Sequence, residues 1–135
     1  MRSSIFLAMI VICSGANAQE YQLQAESVCS AVGGGRLNFK CGPAKEDYAI
    51  YVYRSSDQWI LKHVWKNPHS DRTWKLELVK DDQDVLVLSQ PVLFSGTRLF
   101  HLIKKRQEYF VSDVAHASLG SEVSVTHGKL MRSSR

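Results

Sequence analysis

Residues 57–66 read Asp57-Gln58-Trp59-Ile60-Leu61-Lys62-His63-Val64-Trp65-Lys66. Trp59, Leu61, His63 and Trp65 fall on one side of a two-residue period, and Ile60, Lys62, Val64 and Lys66 fall on the other. Successive side chains of a strand point to opposite faces, so this stretch predicts a half-buried strand with its lysines turned to water. Just downstream, Trp74, Leu76 and Leu78 oppose Lys75 and Glu77 in the same way. Two adjacent segments with this pattern and a polar turn between them make a hairpin, and antiparallel β-structure is the starting expectation.

Working outward, the same alternation marks Tyr48–Tyr53, Asp84–Ser89, Arg98–Ile103, Glu108–Asp113 and Glu122–Thr126. Lys80-Asp81-Asp82-Gln83, Ser89-Gln90-Pro91, Ser95-Gly96-Thr97 and Leu119-Gly120-Ser121 punctuate them as turns. Arg36–Cys41 reads as a further half-buried strand with Leu37, Phe39 and Cys41 on the core side. The fold class is therefore all-β: a small antiparallel β-barrel or sandwich of about eight strands. The connections suit hairpins and an up-and-down meander, since parallel crossovers need a dozen or more residues. Glu20–Ala31 and Val114–Leu119 leave room for one short helix, because Ala, Gln, Glu and Leu favour that state.

The amino terminus has a different character. Arg2, the apolar run Ile5–Ile12 and Ala16-Asn17-Ala18 match the three parts of a cleavable secretory signal, and the run is too short to span a bilayer. Residues 1–18 are thus expected to leave, with residues 19–130 as a single exported domain and residues 131–135 as a disordered basic tail. The expected location is the periplasm or the extracellular space, and the mature chain carries no second apolar run long enough to span a membrane. Cys29 and Cys41 then remain in an oxidising compartment, where a disulfide between them is the simple expectation.

Loss of Arg2 lowers the formal charge from +4 to +3. Lys104-Lys105-Arg106 and the C-terminal Lys129, Arg132 and Arg135 carry much of that excess, without the interleaved Arg and aromatic residues of a nucleic-acid surface. The triple glycine 33–35 precedes an expected strand, whereas phosphate loops open a helix. No pair among His63, His69, His101, His116 and His127 falls at a metal-ligand spacing on one element, so neither metal nor cofactor is expected. There is no Gly-x-Ser-x-Gly elbow, and Asp81, Asp82 and Asp84 read as residues of a hairpin tip.

Trp59, Trp65 and Trp74 lie close together in the chain. Trp59 and Trp74 read as core, while Trp65 ends its strand beside the polar loop 66–72, which is long enough to present side chains. Trp65, His69 and Arg72 are accordingly the candidate binding residues. The function expected from this pattern is a non-enzymatic binding module that contacts another exported protein or a cell-envelope component. The alternative is a carrier holding a small apolar ligand inside the barrel.

In size, signal and strand count the plan is similar to small exported β-barrels such as lipocalins and periplasmic lysozyme inhibitors. A lipocalin-like Gly-x-Trp on the first strand is absent, and charge complementarity to a basic lysozyme favours an acidic surface over one of net +3.

Overall fold

The computed structural model describes residues 19–33, 38–45, 48–67, 70–92, 96–117 and 120–133. The expected signal, residues 1–18, lies outside them. The strands are β1 (Glu20–Gly33), β2 (Lys40–Pro43), β3 (Tyr48–Ser55), β4 (Gln58–Trp65), β5 (Arg72–Asp81), β6 (Val85–Val92), β7 (Gly96–Ile103), β8 (Glu108–Ala117) and β9 (Gly120–Arg132). From β3 to β9 each pairs with the next in an antiparallel meander; β1 pairs with both β3 and β9, so eight strands close into a barrel. Short β2 is the extra strand and pairs only with Ser27–Ser30 of β1.

Closure rests on β1. Its first residues, Glu20–Leu23, pair with β3, and its whole length from Tyr21 to Gly33 pairs with β9. Both regions that left room for a helix are strands as far as they are described: Glu20–Ala31 lies in β1, and Val114–Ala117 lies in β8. The reason is tertiary. Tyr21 and Leu23 are buried, and their alternation with Gln22 and Gln24 fits a sheet paired on both edges, which outweighs a weak local propensity. The tail from residue 131 is likewise strand through Arg132, and the Ser133 amide donates to the Glu20 carbonyl at 3.0 Å.

Between Ala25 and Ser27 the register with β9 shifts, leaving Glu26 as a bulge. A bulge adds one residue and so exchanges the two faces of the strand. Tyr21, Leu23 and Ala25 face the interior before it. After it Val28 and Ser30 lie opposite the interior residues Thr126 and Ser124, and Cys29 turns outward. The disulfide Cys29–Cys41 forms there, joining directly opposed residues of β1 and β2 whose Cα atoms are 4.0 Å apart. Arg36 and Leu37 lie outside the described residues, and over Asn38–Cys41 the structure corrects the reading of a half-buried strand. The strand begins only at Lys40, all four of its residues are exposed, Phe39 is 51 % exposed, and Cys41 lies on the outside of the barrel.

The interior is filled over most of its depth by Tyr21, Leu23, Ile50, Val52, Trp59, Leu61, Leu76, Leu86, Leu88, Phe100, Leu102, Tyr109 and Leu130. Mid-strand Lys62, Lys75 and Glu77 stand on the opposite face of their strands, with apolar residues inside and charge outside. Trp59 is core as expected, and Trp74 packs against that core while half-buried.

One end of the barrel is tied by tight turns. Ser56 and Gln107 adopt positive φ, and the Asp82 carboxylate accepts from the Asp84 and Val85 amides at 2.9 and 2.8 Å. Lys80 donates to Asp82, and that bond together with the Val85 and Asp84 amides lowers the Asp82 carboxyl to about 2. Lys104 reaches Asp81 at 2.5 Å, so two acids of this hairpin tip, Asp81 and Asp82, are paired with cations.

Gly128 sits where β9 passes the bulge, paired with Ala25. A Cβ there would lie 2.1 Å from the Gln24 carbonyl oxygen and 2.7 Å from the Tyr109 ring, inside contact distance of backbone that β9 itself pairs and of a buried side chain. Gly128→Ala is therefore expected to cost about 3 kcal/mol or more by chemical denaturation. A loss below about 1 kcal/mol would show that the seam yields easily. For the double variant Cys29→Ser/Cys41→Ser, removing a crosslink across this short loop should lower stability by about 3 kcal/mol in the same assay.

Candidate functional site

At the end of the barrel opposite the tight turns the interior changes from apolar to polar. Arg98 lies on the same face of β7 as Phe100 and Leu102, and Asp113 on the same face of β8 as Tyr109 and Val111; the two are paired in register. Both therefore point inward. The Arg98 Nε donates to Asp113 Oδ2 at 2.9 Å, and Nη2 donates to the same oxygen. With both donors on Oδ2, the buried Oδ1 of Asp113 has no hydrogen-bond partner among the described residues. The paired side chains remain 31 % and 22 % exposed, so water reaches this end of the interior.

Beside the pair lies a cavity of about 140 Å³. Phe100, Tyr109, Val111 and Ile50 form its apolar part, Ser124 and Thr126 contribute hydroxyls from β9, and Tyr48 and His63 close the remaining wall. Gln90 on β6, paired with Arg98, is buried, and its Oε1 also lacks a donor among the described residues. Two unfilled acceptor atoms at one end of a barrel are uncommon, because a buried polar atom left unpaired costs free energy.

A ladder of rings lines one side of this mouth. Tyr48 packs on Trp65 with centroids 4.4 Å apart and stacks on His63 at 4.6 Å, and His63 meets the edge of Trp74 at 4.7 Å. The ladder follows from strand phase: Trp59, Leu61, His63 and Trp65 share the inward face of β4, and the last two reach the level at which the aliphatic filling ends. Burial, followed by the charge of Arg98, lowers the His63 pKa from 6.5 to about 4. The imidazole is accordingly neutral at pH 7. With Arg98 and Asp113 compensating each other, the cavity carries no net charge from these three groups.

The candidate residues read from the sequence fall at the rim. Trp65 ends β4 half-buried against Tyr48, and its amide donates to Asp71 Oδ1 at 3.0 Å. Lys62 approaches the other oxygen of Asp71 at 3.9 Å, so Asp71 ties the loop back to β4. Arg72 opens β5 opposite His63 and is exposed. His69 lies outside the described residues. Trp65 and Arg72 thus flank the same mouth, while Arg98, Asp113, Tyr48 and His63, which form it, were not among the residues singled out. Strand phase carries the signal that identifies two of them, since Arg98 and Asp113 are charged residues in step with the buried sets of β7 and β8.

The geometry defines a small closed barrel with a packed apolar body and one polar, aromatic-walled mouth. In comparison with known proteins, no family model matches the chain and no curated sequence is similar to it.

The depressed His63 pKa has a consequence for stability. A histidine that must become neutral to fold binds its proton more readily in the unfolded chain, so its contribution is complete above the unfolded value of 6.5 and is lost as pH falls toward about 4. Melting temperature should fall across that window, and the fall should be shallower for His63→Gln. Superimposable pH profiles for the two proteins would show that His63 is not the group responsible.

Proposed function

We propose that this protein is a non-enzymatic, exported binding module that accepts a group of its partner, another exported protein or a cell-envelope component, into the mouth of the barrel. The observation that carries this reading is the Arg98–Asp113 pair at the edge of the cavity, with Asp113 Oδ1 unfilled and half-buried Trp65 at the rim. A hydrogen-bonding group from outside can fill that atom, and the aromatic ladder offers large, rigid contact area at little entropic cost. The amino-terminal signal pattern and the Cys29–Cys41 disulfide fit an exported chain.

Two features favour binding over catalysis. An imidazole with a pKa of about 4 is a weak general base at neutral pH, and His63 is further engaged by rings on both sides. The Asp113 carboxylate is committed through Oδ2 to Arg98. A carrier role for a small apolar ligand draws less support, because the body of the barrel is occupied by its own side chains and the cavity is bordered by an ion pair and hydroxyls.

Retention of the mature protein on an immobilised envelope fraction of its host tests the reading. Trp65→Ala removes the rim ring, and Ser124→Leu fills the cavity from β9. Each should reduce retention about tenfold or more while the melting temperature stays near that of the parent. Undiminished retention of both folded variants would move the recognition surface away from the mouth.

A further inference from the structure

We propose that the mouth cavity binds a neutral sugar ring, with hydroxyl groups donating to Asp113 Oδ1 and the ring lying against the wall that Tyr48 and His63 form. This rests on the reading of the mouth as the recognition site and names the chemistry it takes.

The inventory of atoms narrows the ligand. Asp113 Oδ1, the lining atom without a partner among the described residues, is an acceptor, as is Gln90 Oε1 on the neighbouring strand, so the ligand must bring donors. An anion, even one such as phosphate that keeps an O–H group, would meet the Asp113 carboxylate. A compact cation would have to settle beside the Arg98 guanidinium, whose charge already disfavours protonation of His63. Neutral O–H groups satisfy both constraints. Ser124 and Thr126 can each donate or accept, which matches a ligand whose hydroxyls do the same.

Shape gives a second argument. A sugar ring has an apolar face of C–H groups and a polar rim of hydroxyls, and the site has the matching division: Tyr48, Ile50, His63, Phe100 and Val111 supply carbon surface, and an ion pair with the Ser124 and Thr126 hydroxyls supplies the polar side. A cavity of about 140 Å³ is well below the roughly 300–1,000 Å³ of sites that enclose a drug-sized molecule. It has room for a single ring. The ligand is therefore either a free monosaccharide or the terminal residue of a glycan whose remainder stays outside, next to Trp65 and Arg72 at the rim.

Titration of the mature protein with D-glucose, D-galactose and N-acetylglucosamine, followed by the indole N–H signals of Trp65 and Trp74 in NMR, tests this. Inorganic phosphate and methylammonium serve as charged controls, and immobilised neutral glycans separate chain ends from free sugars. At least one neutral sugar, free or terminal, should saturate with a Kd of about 1 mM or tighter. Thr126→Val should weaken it about three- to tenfold through loss of one hydroxyl, and Ser124→Leu should do so by more. Saturation by phosphate or methylammonium with no response to any sugar overturns the proposal. Absence of sugar binding, free or immobilised, overturns it too, and if envelope retention still depends on Trp65 the mouth remains the recognition site for a ligand of other chemistry.

Discussion

The seam between β1 and β9 is the constraint on which the rest of the structure depends. A sheet of this size has two edges with unpaired backbone groups, and closing it into a barrel pairs both at once. Here closure is continuous from Tyr21 opposite Arg132 to Gly33 opposite Ser121, interrupted only at Glu26. Close approach at the interruption requires the absence of a side chain at Gly128, where the Gln24 carbonyl and Tyr109 ring occupy the space a Cβ would need. The bulge then decides which residues of the distal half of β1 face inward. It places Val28 and Ser30 toward the interior and the disulfide outside, so the bridge fastens β2 to the wall without taking up core volume.

The division of the interior into two zones follows from how each strand ends. Leucines, Trp59, Phe100 and Tyr109 fill the body and leave little space. Toward the mouth the inward positions become Gln90, Arg98, Asp113, Ser124 and Thr126, contributed by four consecutive strands. An apolar layer there would bury more hydrophobic area, and replacing a partly buried ion pair by hydrophobic residues is often neutral or stabilising. A polar layer with unfilled acceptors therefore makes little sense as a contribution to stability alone, and accords with a surface built to receive something. The low pKa of His63 belongs to the same arrangement: a ring between Tyr48 and Trp74 and near Arg98 stays neutral, which preserves the charge balance of the mouth.

Much of the strand pattern was legible because alternation is a local property. Trp59, Leu61 and His63 on one face of β4, and Trp74 and Leu76 on one face of β5, stand as their spacing implies, and Cys29 and Cys41 are joined. Where the structure differs from that reading, at β1, at Asn38–Cys41 and at Met131–Arg132, the deciding contacts were non-local. Gln22, Gln24 and Glu26 give β1 a helix-tolerant composition, and only its pairing with β3 and β9 makes it a strand. Phe39 and Cys41 alternate as core residues should, yet β2 pairs with the outward-turned half of β1, and both are left exposed.

The sequence by itself determined the all-β class, the phase of most strands and the cysteine pair, because each depends on residue type and a two-residue period along one segment. It also placed Trp65 at the end of a strand and Arg72 in the polar loop that follows. Tertiary structure alone decided that the strands close into a barrel, that the faces of β1 exchange at Glu26, and that Arg98, Asp113, Tyr48 and His63 meet at one mouth. These residues come from four strands spread over much of the chain, and their convergence is set by closure and register, which arise from backbone pairing between distant segments and leave no periodic trace in any one of them.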